Sequence, residues 1–182
     1  MSLKYSPVCD FGKKIIPFSL FSANYEKISL INNLGKNGTL IIFMCNHCPY
    51  VKAIVEDIVK TTNDIKKLGI NTIAIMPNDY EKYPEDNPEN MIKFSKKYNF
   101  NFPYLIDKNQ EVAKTYQAVC TPDFFGYNSE NELQYRGRLT KLNNLKKVNS
   151  NNELLNAMLA ISKNRIGPKE QFPSMGCSIK WK

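Results

Sequence analysis

The stretch "GTLIIFM", residues 38–44, is apolar from Leu40 onward without a polar interruption. A strand with one wet face alternates apolar and polar residues, so an unbroken run fits a strand covered on both sides in a largely parallel sheet. It leads directly into "CNHCPY", residues 45–50. Beyond the motif, Val51, Ile54, Val55 and Ile58 fall at i, i+3, i+4 and i+7, while Lys52, Glu56 and Lys60 take the opposite face. That spacing predicts an amphipathic helix from the motif to near Gly69, with Glu56 and Lys60 as a favourable i,i+4 pair. "INTIAIM", residues 70–76, is a second buried-strand run. Strand, helix and strand make one crossover unit, and the two cysteines stand at its strand-to-helix turn. The chain is thereby restricted to an α/β architecture.

The rest of the chain extends that unit. "PNDYEKYPEDNPEN" (77–90) reads as an irregular surface loop, placed near the motif because it follows the second strand, and a helix follows around Met91 to Lys97. "FPYLID" (102–107) is a third strand, Glu111 to Tyr116 a short helix, and "DFFGYN" with "ELQYRG" a β-hairpin over about 123–137. "NNELLNAMLAISK" (151–163) is a last amphipathic helix, and 164–182 a tail containing proline and glycine. Near the start, "PFSLFSANYEKISL" (17–30) predicts a small additional hairpin. At 182 residues and 42% apolar content, without internal repeats or an evident linker, residues 1–182 are expected to form one domain.

Composition narrows the function. The net charge of +8 comes mostly from lysines, and the pairs Lys13-Lys14, Lys66-Lys67, Lys96-Lys97 and Lys146-Lys147 lie in separate segments. With Arg136, Arg138 and Arg165 as the only arginines, no basic stripe suited to nucleic acid is expected. No apolar run is long enough to cross a bilayer, and "MSLKYSPVCDFG" lacks the apolar stretch of a secretory signal, so no membrane partner and a cytoplasmic location are expected. Export remains open if "MSL" is a cloning remnant replacing a removed leader. Five cysteines, an odd number in a chain of this length, argue against a structural disulfide framework.

The C-x-x-C pair has three readings: redox pair, metal ligands or inert buried thiols. A helix N-terminus stabilises a thiolate through unpaired N–H groups and the positive end of the helix dipole, and spacing of i and i+3 lets two sulfurs close a small disulfide ring. Pro49 suits the first helical position, where no N–H donor is needed. His47, the only histidine, either lowers the thiol pKa beside it or caps the turn. Structural zinc needs four ligands, and the remaining cysteines stand singly, so a Cys45, Cys48, Cys120 and Cys177 cage requires the fold to gather them. We expect no metal and no cofactor. In "CTPDFF", Thr121-Pro122 precedes a strand, which a cis bond would explain.

A buried strand entering C-x-x-C at a helix start, with Thr-Pro before a later hairpin, resembles the thioredoxin fold. The segments "CNHCPYVKAI", "PNDYEKYPEDNPENM", "FPYLIDKNQEVAKTYQAVCTPDFF", "LQYRGR" and "PSMGCSIKW" are similar to the peroxiredoxin-like branch of that superfamily, grouped with alkyl hydroperoxide reductases and thiol-specific antioxidant proteins. The similarity runs from about Pro17 to Trp181. It implies a central mixed β-sheet flanked by helices, with the N-terminal hairpin as an extension.

On the thioredoxin side the resemblance implies that a low-pKa Cys45 attacks, Cys48 resolves, and Pro122 is the cis-proline. On the peroxiredoxin side Cys48 in "CP" matches the peroxidatic cysteine, supported by an arginine for which Arg136 and Arg138 are candidates. Cys45 then stands where that family has threonine, and Ile41 where it has proline. Cys120, beside Thr121-Pro122, would trap a mixed disulfide or serve as a small buried hydrophobe; Cys177 would resolve a sulfenic acid if the tail folds back. The leading expectation is a thiol-disulfide oxidoreductase cycling Cys45 and Cys48, acting on a protein or small-molecule disulfide or thiol. The alternatives are a thiol peroxidase using peroxide, and a non-catalytic redox-sensing or metal-binding protein.

Overall fold

The structure is a computed structural model that describes residues 2–182. In chain order its elements are β1 (Leu3–Tyr5), β2 (Ser19–Ser22), β3 (Lys27–Ser29), β4 (Gly38–Phe43), α1 (Pro49–Lys52), α2 (Val55–Lys66), β5 (Ile70–Met76), α3 (Pro88–Lys97) and β6 (Tyr104–Ile106). They continue with α4 (Glu111–Thr115), β7 (Cys120–Thr121), β8 (Asp123–Asn128), β9 (Leu133–Gly137), β10 (Leu142–Asn143), β11 (Lys146–Lys147), α5 (Glu153–Asn164) and β12 (Met175–Ser178).

Seven strands form the main sheet in the order β3-β2-β6-β5-β4-β8-β9. β4 is central, parallel to β5 and antiparallel to β8, so the sheet is mixed as expected. The predicted N-terminal hairpin is β2 and β3, joined to the sheet through β6. The unbroken apolar run of β4 has its reason in two cores. Leu40 and Ile42 enter one beneath α2, α3 and α5, whereas Ile41 and Phe43 enter the other with Ile73, Ile75, Phe125 and Tyr116. All four are fully buried, and each contributes about 2 kcal/mol of apolar transfer. A register slip would exchange both sets at once.

The expected single helix after the motif is broken. Ile54 has φ −130° and ψ 7°, outside the helical region, and separates α1 from α2. Val51, Ile54, Val55 and Ile58 are all buried, so the apolar spacing is kept although the backbone is interrupted. α1 packs against β12. The third helix begins at Pro88, ahead of the expected Met91, because the Asn87 side chain caps it by accepting the Asn90 N–H at 2.9 Å.

The tail is part of the fold. β12 lies between β1 and β7 in a second, three-stranded sheet, with Cys177 opposite Thr121 and Ser178 opposite Cys120. The close approach requires glycine at 176, since a Cβ there would overlap the Thr121 carbonyl oxygen. Beyond the strand, the Lys180 carbonyl accepts from Asp79 N and Gln110 Nε2, each at 2.8 Å. No helix among the described residues is long and apolar enough to cross a membrane.

Candidate active site

β4 ends at Phe43, and the next turn carries Cys45 and Cys48 to the head of α1, where Cys48 is the N-cap and Pro49 the first helical residue. Neither cysteine exposes surface. Both meet Thr121, the residue before a cis peptide bond to Pro122. Cys45 Sγ lies 3.4 Å from Thr121 Oγ1, and Cys48 Sγ, as a thiol, donates to the Thr121 carbonyl at 3.1 Å. None of the five cysteines is in a disulfide.

Beneath the motif, a fully buried carboxylate organises the turn. Asp86, from the loop between β5 and α3, accepts the backbone N–H of Asn46 at 2.8 Å and of His47 at 3.3 Å through Oδ1. Its Oδ2 meets His47 Nδ1 at 2.7 Å and accepts from Asn78 Nδ2 at 2.8 Å. The Asn46 side chain donates to Glu85 O at 3.1 Å, and the buried Tyr104 hydroxyl sits 3.2 Å from Met44 O and 3.1 Å from Asn46 Oδ1. Tyr83 stacks on the imidazole, with ring centroids 6.0 Å apart and planes 10° apart. The turn before α1 is thus fastened to the following loop by hydrogen bonds and a ring stack.

The two thiols are shifted in opposite directions. The Cys48 thiol is lowered to about 5, chiefly because the Cys45 thiol donates to its thiolate; burial opposes this, and the Cys177 thiol with the backbone N–H groups of Val51 and Cys177 supplies further donors. Cys45 is pushed well above the ordinary thiol range, first by burial, then by giving its hydrogen bond to Cys48 and by the negative Asp86. The lowering therefore falls on Cys48, where the sequence reading expected it on Cys45. The Val51 N–H of α1 and the Cys177 N–H of β12 reach the N-cap sulfur, while Cys45 faces a hydroxyl and lies near a carboxylate. His47 is raised from its ordinary value, first by the Asp86 hydrogen bond, against partial burial.

The profile of the AhpC/TSA family matches residues 11–139. The chain belongs to the AhpC/TSA family. It is also similar, at 25% identity over 122 residues, to the thiol-disulfide oxidoreductase ResA of Halalkalibacterium halodurans, covering 67% of this chain and 65% of that protein. This chain therefore spans a little under two thirds of that curated relative's length. Among solved structures, an uncharacterized conserved protein of Geobacillus kaustophilus has 38% identity and a TM-score of 0.92, with 100% of this chain and 97% of that one covered. A secreted disulfide oxidoreductase of Mycobacterium tuberculosis shares the fold alone, at 16% identity and TM-score 0.55, over 64% of this chain and 80% of that one. The fold is thioredoxin-like.

Within this family member, Cys45, Cys48, Thr121, Pro122 and Cys177 come together, with His47 at the edge. Cys120 is buried and turned aside, its Sγ donating to Pro122 O at 3.6 Å, and burial raises its pKa. The candidate arginines are committed elsewhere. Arg136 donates to Gln117 O at 2.7 Å and Asp123 Oδ2 at 3.1 Å and lies over Phe125, while Arg138 forms a forked pair with Glu153 at 2.7 to 3.0 Å.

The donor set for a metal also differs from the four-cysteine cage. Among the described residues, the atoms within 4.8 Å of one another belong to Cys45, His47 and Asp86. Both Asp86 oxygens already accept hydrogen bonds, so a metal there would have to displace them. Asp86, Asn78 and Tyr104 are the site residues that sequence reasoning passed over. The one signal for Asp86 and Asn78 was the loop's position after β5.

Proposed function

We propose that the protein is a thiol-disulfide oxidoreductase in which Cys48 attacks and Cys45 resolves. The observation carrying this reading is the convergence of both sulfurs on Thr121 at the head of α1, Cys45 Sγ 3.4 Å from its hydroxyl and Cys48 Sγ 3.1 Å from its carbonyl, with the Cys48 thiol lowered and the Cys45 thiol raised. The Cys48 thiolate attacks a disulfide R–S–S–R′, forming Cys48–S–S–R and releasing R′S⁻. Cys45 then gives up its proton, taken by R′S⁻, and its sulfur attacks Cys48 Sγ, forming the Cys45–Cys48 disulfide and releasing RS⁻. Run backwards, the same steps oxidise a dithiol. The name of the curated relative supports this class of chemistry.

A peroxidase reading shares Cys48 as nucleophile and draws support from the family and from the lowered Cys48 pKa. Against it stand Cys45 in place of threonine and the commitment of Arg136 and Arg138 to Asp123 and Glu153. The test follows reduction of a protein disulfide by dithiothreitol, with the wild type, Cys45→Ser and Cys48→Ser, alongside consumption of hydrogen peroxide. Acceleration lost in Cys48→Ser and strongly reduced in Cys45→Ser upholds disulfide exchange. Peroxide consumption orders of magnitude faster than by free cysteine, with no effect on the protein disulfide, overturns it in favour of the peroxidase.

A further inference from the structure

Cys48 has a thiol on either side. Cys45 approaches from the turn, and Cys177 approaches from β12, where its pairing with Thr121 brings both its thiol and its backbone N–H to the Cys48 sulfur. Thr121 organises all three: its hydroxyl meets Cys45, its carbonyl meets Cys48, and its backbone lies opposite Cys177. The placement of β12 is built in. Gly176 admits no Cβ against the Thr121 carbonyl, and the Ser174 hydroxyl donates to Pro122 O at 2.7 Å. After the strand, Lys180 N donates to Asn78 Oδ1 at 2.9 Å, which ties the tail to the residue that also holds Asp86.

We propose that Cys177 is a third redox thiol of this site, forming with Cys48 a disulfide that alternates with the Cys45–Cys48 disulfide. The inference rests on the reading of Cys48 as a redox nucleophile, though it does not require Cys45 to resolve. From a mixed disulfide Cys48–S–S–R, Cys177 loses its proton to the departing R′S⁻, and its sulfur attacks Cys48 Sγ to give Cys48–S–S–Cys177 and RS⁻. From a Cys45–Cys48 disulfide, the same attack releases Cys45 as a thiolate that takes up the proton. That exchange consumes no oxidant. Because both bonds use Cys48 Sγ, only one exists at a time, and oxidation can be passed from the turn to the terminal strand.

The experiment treats the fully reduced full-length protein, and separately Cys45→Ser and Cys45→Ala, with glutathione disulfide. Thiols are counted, and non-reduced peptides are mapped by mass spectrometry. In both Cys45 variants we expect two thiols to be lost to an intramolecular Cys48–Cys177 bond. Adding Cys177→Ser should leave Cys48 trapped as its glutathione adduct. Glutathionylated Cys48 with an intact Cys177 thiol in both Cys45 variants overturns the proposal; circular dichroism matching the wild type makes that result decisive. A wild type that forms only Cys45–Cys48, together with that result, leaves disulfide exchange standing without Cys177. A Cys48–Cys177 bond in every form, with Cys45 always reduced, upholds the third thiol and removes Cys45 as the resolving residue.

Discussion

Asp86 and His47 stand 39 positions apart in sequence and meet at 2.7 Å, a fully buried carboxylate against the only imidazole in the chain. The same carboxylate holds the Asn46 and His47 backbone N–H groups. The pair therefore works as a fastening for the turn between the two cysteines.

Asp86→Ala removes an acceptor from four donors in a buried place, and each unanswered donor costs about 1 kcal/mol or more. We expect a loss of about 3 kcal/mol in the stability of the reduced protein, measured by denaturant unfolding. The His47 pKa should fall toward its ordinary value, followed by proton NMR. An unchanged midpoint together with an unchanged imidazole titration would refute the fastening role.

The His47 shift has a direction in pH. Its pKa is raised in the folded state, so its contribution is fully present below the unfolded value of about 6.5 and fades as pH rises through the higher folded value. Stability of the wild type minus that of His47→Gln should shrink across that interval. A difference that grows there contradicts the assignment.

Cys48 runs the other way. With a folded pKa of about 5, below the unfolded thiol value near 9.0, its stabilising contribution is complete above the unfolded value and is lost as pH falls toward 5. Thiolate absorbance of the reduced protein should show an acid transition that Cys48→Ser abolishes and Cys45→Ala moves upward, because the Cys45 thiol is the largest source of the lowering. Retention of that transition in Cys48→Ser would assign the charge to another sulfur.

Gly176→Ala forces a methyl against the Thr121 carbonyl. Overpacking of this kind costs about 1–3 kcal/mol. Displacing β12 also withdraws the Cys177 donors, so the Cys48 transition should move to higher pH. A variant with wild-type stability and titration would show that the close approach is dispensable.

Arg136→Ala should act on stability and leave disulfide exchange intact, since its guanidinium serves Asp123 and Gln117. Asp123 is fully buried, and burial already raises its carboxyl to about 6 despite the arginine. Removing one partner of a buried pair costs about 3–5 kcal/mol. The Asp123 pKa should then rise further. A selective loss of turnover at full stability would instead place Arg136 in the chemistry.

Much of the fold was legible because β4 announces itself. Leu40 to Met44 leave no face for water, and the 3.6-residue spacing of Val51 to Ile58 survives even the break at Ile54. The Cys45, Cys48 and Thr121-Pro122 constellation was legible for the same reason, being carried by regular elements with strong local signals. Asp86 was not: an acid in a polar loop looks solvated until the fold turns it inward onto Asn46 and His47. The strand in "SMGCS" was equally hidden, since Gly176 has low strand propensity and is required only by a partner more than fifty residues away. Which sulfur carries the charge depends on where the Val51 and Cys177 N–H groups point, a matter of orientation that spacing leaves open.

The position of β12 in the chain also orders events in time. Cys45 and Cys48 are synthesised well before Met175 to Ser178, so while the chain is being made the pair lacks both the cover of the terminal strand and the donors of Cys177. Until that strand docks, Cys48 lacks two of the donors that lower its pKa, the thiol and the backbone N–H of Cys177. Docking of the last strand is therefore the step that completes the set of donors around Cys48.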